Sequence, residues 1–414
     1  RLFELPSLLI CLLLIVTVGY KFKVPSNYQV VLALHCLLPF VLNDVLFSTS
    51  YMGDQFRYWE GVNAIRSGEL GLIEAFTGGD NVFQASAMLA LLPFPAPVSP
   101  ISLGFYNTFL YIVLFFVLYV KNIFTKVSIW FYLLFPSMAL YTALSLRETL
   151  ILFFMVLTVV YARESKILKS ILFIIPLYLI KFQNFFILGP IVLMYFIFNV
   201  AKKGMGLAKA VIISLISLAG LLLSAPIAIP QINHFRAAMF VEDGGKAEEI
   251  MLISGAGEFV VEGLTSGIYF LSKPFIWEAS GVLPLIQSFE NLFILAILFL
   301  ITRKAWMKSP DKLAFWLLFM ALSMSVYGLV VFNYGTAVRY RYPFVMIYVL
   351  FVCADCEIRT LLPNKELPNK NPLPKVNHKK FLTTSLKGIN INYLCLSIVI
   401  SMKTTYSIFI YVNI

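Results

Sequence analysis

Histidine is nearly missing from this sequence: there are three in 414 residues, at His35, His234 and His378, far apart along the chain. The five cysteines, Cys11, Cys36, Cys353, Cys356 and Cys395, lie in or beside apolar stretches, so the spacing offers neither a zinc site nor a disulfide framework. Cys353 and Cys356 make a C-x-x-C without a second pair or a nearby histidine, and read as helix-end residues. Charge is the second shortage. At 13% of the residues it is too sparse to clothe a water-soluble globule of this length. What is abundant is apolar: 60% of residues are hydrophobic and the mean hydropathy is +0.86. The net charge of +11 would point to nucleic acid in a soluble protein. Here the bases sit in short connectors between apolar runs, where they set topology, and no nucleic-acid partner is expected.

Apolar runs able to cross a bilayer, singly or as paired short helices, fall near 5–20, 27–47, 101–120, 127–144, 148–162, 168–180, 185–200, 209–228, 288–302, 313–332, 341–354 and 391–411. In lipid every backbone polar group must be satisfied internally, which leaves helices or a closed barrel, and the run lengths suit helices. The expected fold is therefore an all-α polytopic integral membrane protein with about 11–12 transmembrane helices. The run at 5–20 reads as a first span rather than a cleaved leader, because no small-residue cleavage site follows it. The run at 391–411 contains Ser397, Ser401, Lys403, Thr404 and Thr405, and reads as a last span or an interfacial helix.

Orientation follows from the bases in alternate connectors. One set, from Lys21 to Lys312, holds 14 Lys and Arg against two acids, Glu164 and Asp311, whereas the other holds nine against 15. The first set is expected on the cytoplasmic side. Two long loops then fall on the opposite side, at 48–100 and 229–287, the first with an amphipathic stretch over 54–70. Residues 1–354 form the membrane domain. Residues 355–390 form a basic Pro/Lys-rich cytoplasmic linker with a near repeat, Leu362-Pro363-Asn364-Lys365 and Leu367-Pro368-Asn369-Lys370, and 391–414 follow.

Four polar constellations are expected at the outer ends of different segments. The first holds Gly53-Asp54-Gln55-Phe56-Arg57-Tyr58, where a carboxylate at the lipid–water boundary suits a general base and also a helix N-cap. The second, Ser145-Leu146-Arg147-Glu148, lies where the chain must turn, since the flanking runs are together too long for one span; a local Arg147–Glu148 pair is the plainer reading. The third is Lys181-Phe182-Gln183-Asn184, a lysine and two amides in a tight turn. The fourth, Gly335-Thr336-Ala337-Val338-Arg339-Tyr340-Arg341-Tyr342-Pro343, puts two arginines at the entrance to an apolar run. Cations there cost a few kcal/mol unless a counter-charge is supplied, and a ligand phosphate gripped bidentately by guanidinium would supply it.

These blocks resemble a family. Gly53-Asp54-x-x-x-Tyr58 resembles the loop aspartate of GT-C-type glycosyltransferases. Pro136-Ser137 with Ser145-x-Arg147-Glu148, then Ser272-Lys273-Pro274-Phe275-x-Trp277-Glu278 and Gly335-Thr336-x-x-Arg339-x-Arg341-x-Pro343, are similar to elements of bacterial surface-polysaccharide proteins, including EpsG-like and Wzy-type O-antigen polymerases. The aspartate follows the second apolar run, where the GT-C pattern places it after the first. The resemblance implies a glycosyltransferase or polymerase of the bacterial inner membrane, working at the periplasmic face on a polyprenyl-(di)phosphate-linked glycan and an acceptor glycan. Chain-length regulators or other polysaccharide-assembly proteins are implied as partners. It implies Asp54, Arg147 and Glu148 as catalytic residues, and Arg57, Tyr58, Lys181, Gln183, Trp277, Glu278, Arg339 and Arg341 as substrate-binding ones. No cofactor is required and no metal ligand is assigned, although a divalent metal fits the chemistry. Two other classes use the same residues: a flippase or transporter of an anionic or lipid-linked substrate, and a scaffold in which each arginine is paired to a protein carboxylate.

Overall fold

The computed structural model describes residues 1–43, 45–46, 53–242, 245–246, 249–279 and 281–361, and among them every regular element is helical. The run at 391–411 and nearly all of the basic linker lie outside the described residues. The helices are α1 (Leu5–Lys21), α2 (Ser26–His35), α3 (Leu38–Leu42), α4 (Asp54–Ser67), α5 (Leu72–Thr77) and α6 (Asn81–Ala90). They continue as α7 (Pro100–Val120), α8 (Lys126–Leu134), α9 (Pro136–Ala143), α10 (Glu148–Arg163), α11 (Ile167–Ile180) and α12 (Phe182–Phe198). The last six are α13 (Val200–Lys203), α14 (Leu207–Glu242), α15 (Ala256–Ser272), α16 (Val282–Lys308), α17 (Pro310–Gly328) and α18 (Tyr334–Asp355).

Local chemistry sets these boundaries. Ser99, Pro100 at the first helical position and Ser102 form a capping box that starts α7. Asp80 caps α6 by accepting from the Val82 amide at 2.7 Å, and Asn333 caps α18 by accepting from the Gly335 amide at 2.8 Å. Gly68, at φ +84, ends α4 in the left-handed conformation that an L side chain resists. The amphipathic stretch expected over 54–70 is thus the polar helix α4. Pro136 splits the run at 127–144, expected as one segment, into α8 and α9.

Four of these helices are long and apolar enough to cross a membrane: 2–21, which includes α1, then α7, α16 and α18. The number is up to six if each of two bent pairs counts as one span: α9 with α10, turning by 118° at their junction, and the two halves of α14, bent by 52°. The shorter apolar helices α11 and α12, of 14 and 17 residues, and the 26–42 stretch add to the bundle. Breaks at proline and at polar turns thus divide several of the apolar runs into shorter helices.

Helices α7, α10 and α18 form the centre and are buried over most of their length. Around them α1, α11, α12, α14 and α16 turn apolar side chains outward, among them Leu13 at 61%, Ile197 at 66% and Phe299 at 65% exposure. Apolar surface on that scale is costly in water and costs nothing against acyl chains, which makes lipid the natural solvent of this rim. Polar contacts hold the layers together. Buried Glu4 accepts from Ser99 Oγ at 2.9 Å and Ser102 Oγ at 2.8 Å, fixing the start of the first helix to that of α7. Gly104 lies so close to the Ala143 carbonyl that any Cβ there would collide with it.

Two bonds tie α10 to α18. At one end Arg339 on α18 reaches Glu148 on α10, and at the other Arg163 on α10 reaches Asp355 on α18 at 2.8 Å. The helices therefore run parallel, with acid and base exchanged between them from one end to the other. At ~1.5 Å per residue the two bonds lie about 23 Å apart along the axis. Asp355 is fully buried and its carboxylate is saturated: Oδ2 accepts from the Tyr195 hydroxyl at 2.9 Å and Trp316 Nε1 at 3.2 Å, while Lys312 donates to its backbone carbonyl at 2.9 Å. Replacing Asp355 by Ala is expected to cost about 3 kcal/mol, because Arg163, Tyr195 and Trp316 lose their common acceptor. Denaturant unfolding in detergent checks it, and a loss below about 1 kcal/mol would contradict this role.

Candidate functional site

The turn that delivers Arg147 and Glu148 is built by side chains from three other segments. Asn107, in the middle of α7 and fully buried, donates from its amide to the carbonyls of Leu144 and Leu146, both at 2.6 Å. Gln55, on the buried side of α4, accepts from the Ser145 amide at 3.3 Å, and Ser145 Oγ donates to the Pro100 carbonyl. Asn43 Nδ2 donates to the Ala143 carbonyl at 3.3 Å. A sharp reversal between two apolar helices leaves backbone groups without helical partners, and these amides satisfy them. The turn is held rather than free, and the directions of Arg147 and Glu148 are fixed with it.

Around that turn the chain assembles a buried charge cluster. Glu148, 2% exposed, accepts from Arg339 Nε at 2.6 Å. Arg339 also donates from a terminal nitrogen to Asp54 at 3.0 Å, bridging α18 to both α10 and α4. The Asp54 side chain is 43% exposed, so the two carboxylates differ: Glu148 is sealed in, and Asp54 is open to the surroundings. Arg147 donates to the Asn81 side-chain oxygen at 2.6 Å, at the first residue of α6, and its Nε has no partner among the described residues. Glu148 Oε2 is likewise without one.

Lys181 stands in the turn between α11 and α12, with its ammonium 3.8 Å from the Tyr340 ring centre and 5.9 Å from that of Tyr327. It makes no ion pair or hydrogen bond among the described residues. Burial is the main reason its pKa is pushed down to about 7, with the positive charges of Arg147 and Arg339 acting in the same direction and Glu148 and Asp54 opposing them. Tyr327 donates to Asn184, which fixes the turn beside Lys181. Three cations and two carboxylates from α4, α18 and two turns thus come together, and Arg147 and Lys181 have no acidic partner among the described residues. Tyr58, buried at 2% exposure, feels all four of the other charged groups, Arg147, Glu148, Arg339 and Asp54.

The other residues that the resemblance implied are placed differently. Arg341 faces away from this cluster and donates to the carbonyls of Phe270, Leu271 and Lys273 at 3.0, 3.1 and 2.7 Å, and to the Asn291 side chain. It closes the C-terminus of α15, a role that uses its guanidinium against backbone. Glu278 pairs with Lys273 at 3.2 Å and Trp277, 81% exposed, stacks on Phe275 at 4.8 Å; neither contacts Arg339. Arg57 is exposed on α4 and Gln183 is half-buried on the first turn of α12.

Sequence reasoning missed Asn81, Asn107 and Gln55, and also Glu290, whose carboxylate in α16 accepts from the Ser137 amide at 2.7 Å and hydroxyl at 2.6 Å at the start of α9. Asn107 and Glu290 carried a readable signal, a polar side chain inside an apolar run. Asn81 carried none, since its importance lies in what folds against it.

The contrast between the two arginines is testable. Arg341→Met leaves three carbonyls of α15 without donors and is expected to cost about 3 kcal/mol, while Arg341→Lys restores part of the loss. Thermal unfolding of the purified chain checks this; an unchanged transition would remove the capping role.

Four described segments thus converge on the charge cluster, and the family resemblance must be weighed on that geometry. No family model matches the chain, and no curated protein or solved structure matches it either.

Proposed function

We propose that this protein is a membrane-embedded glycosyltransferase or polymerase of bacterial surface polysaccharide, taking its sugar from a polyprenyl-(di)phosphate-linked donor. The observation that carries the reading is the pair of cations, buried Arg147 and half-buried Lys181, facing no protein acid among the described residues beside a third cation that is fully paired. A buried cation without a counter-ion is costly, and a ligand phosphate relieves that cost. The resemblance of the surrounding blocks supplies the substrate class. The distribution of bases supports a multi-pass protein of the inner membrane with this site on the periplasmic side, its short helices completing a bundle of about 11–12 segments.

The roles then follow from exposure and pairing. The donor phosphate lies against Arg147 and Lys181. Asp54, the open carboxylate, takes the proton of the acceptor hydroxyl as its oxygen attacks the anomeric carbon. The bond from that carbon to the phosphate oxygen breaks, its electron pair leaves with the polyprenyl (di)phosphate, and the two cations stabilise the charge that collects there. Glu148 positions Arg339, and Arg339 in turn holds Asp54 at the edge of the site. The anionic donor also favours the charged form of Lys181, so donor binding is expected to weaken as pH rises past about 7.

Because Arg147 and Lys181 pair with no acid, Arg147→Met and Lys181→Met orphan no carboxylate and are expected to leave the thermal unfolding transition nearly unchanged. Each is expected to lower sugar transfer by about a hundredfold or more in proteoliposomes supplied with labelled lipid-linked donor and a glycan acceptor. Full transfer by both variants would overturn the phosphate-binding role. Label that crosses the bilayer but stays on lipid in the unaltered protein would instead identify a flippase.

A further inference from the structure

The outward side of α4 carries a second feature, separate from the charge cluster. At ~100° per residue, Trp59, Asn63 and Ser67 form one ridge of α4, about 140–180° around the helix from Asp54. They line an open depression of ≈ 630 Å³ together with Glu60, Arg66 and Glu69. The Trp59 indole is held by its Nε1, which donates to the Pro97 carbonyl at 3.0 Å. Arg66 gives this site no free donor: its nitrogens are committed to the carbonyls of Ala90, Leu92, Phe94 and Pro95, at 3.0, 2.7, 2.6 and 2.7 Å. By contrast Glu60, Asn63 and Glu69 make no hydrogen bond or ion pair among the described residues.

We propose that this depression binds a neutral oligosaccharide. An indole fixed at its edge presents a flat apolar surface to the C–H face of a pyranose, and unengaged carboxylate and amide groups beside it pair with neighbouring hydroxyls. Two carboxylates and a spent guanidinium disfavour a phosphate-bearing ligand, and the same unpaired carboxylates disfavour an acyl chain. The ligand differs in charge from the anion suited to Arg147 and Lys181, and the depression lies on the far side of α4 from Asp54. It therefore serves as a separate hold on glycan chains, independent of the catalytic reading.

The test uses the full chain in detergent, applied to immobilised neutral oligosaccharides of glucose, galactose, mannose and N-acetylhexosamines, with a Lys/Arg-rich peptide as competitor class. Retention by at least one oligosaccharide, falling about tenfold in Trp59→Ala and in Asn63→Ala but largely kept in Trp59→Phe, is the expected result. Asn63→Ala guards against misfolding, since it removes no internal bond. Failure of every oligosaccharide to retain the unaltered protein, equal retention by the variants, or retention by the basic peptide alone overturns the proposal. None of these outcomes touches the transfer assay.

Discussion

The ion pair between Arg339 and Glu148 is the contact on which the rest of the arrangement depends. It joins the two central helices, and through Asp54 it draws in the polar helix α4. Its counterpart, Arg163 with Asp355, secures the far end of the same helices. Both cations would be expensive in a low-dielectric interior if left alone, and each finds its acid on the neighbouring helix. The pairs thereby fix relative rotation and axial register, which apolar packing alone specifies weakly. A central pair of helices set in this way gives the turn at Arg147 and Glu148 a rigid base.

The buried arginines fall into two kinds. Arg341, like half-buried Arg66, spends itself on carbonyls at helix ends, and Arg236 donates to the Leu329 carbonyl at 2.8 Å as well as pairing with Glu262 at 3.4 Å. These solve the problem of backbone left over where a helix stops away from water. Arg339 and Arg147 face side chains instead. Residue type and position along the chain are nearly the same for Arg339 and Arg341, two residues apart on α18, yet about half a turn of the helix sends them to different tasks.

That difference explains how much was legible beforehand. Composition was enough for an all-helical membrane protein, and the combined length of the runs flanking 145–148 was enough to place a reversal where α9 and α10 meet at 118°. The convergence of Asp54, Arg147, Lys181 and Arg339 followed from charge alternation, which acts at the scale of whole segments. The division at Pro136 was readable as well, since a proline denies the residues before it a helical continuation. The assignment of Arg341 to the same cavity failed for a geometric reason: its partners are backbone carbonyls of α15, and backbone carries no sequence signature. Asn81 and Gln55 were unreadable on the same ground, being ordinary polar residues whose meaning comes from contacts 66 and 90 residues away.

The two bonds between α10 and α18 bridge 191 and 192 residues of chain. During synthesis α10 is therefore made and inserted long before its partner exists. Until the last central helix leaves the ribosome, Glu148 and Arg163 have no counter-ion on it, and α10 has nothing to set its register. The seventeen helices before α18 form a provisional assembly, and arrival of α18 closes both ends together. A chain interrupted before that point would contain most of the apolar bulk of the protein and none of its defining order.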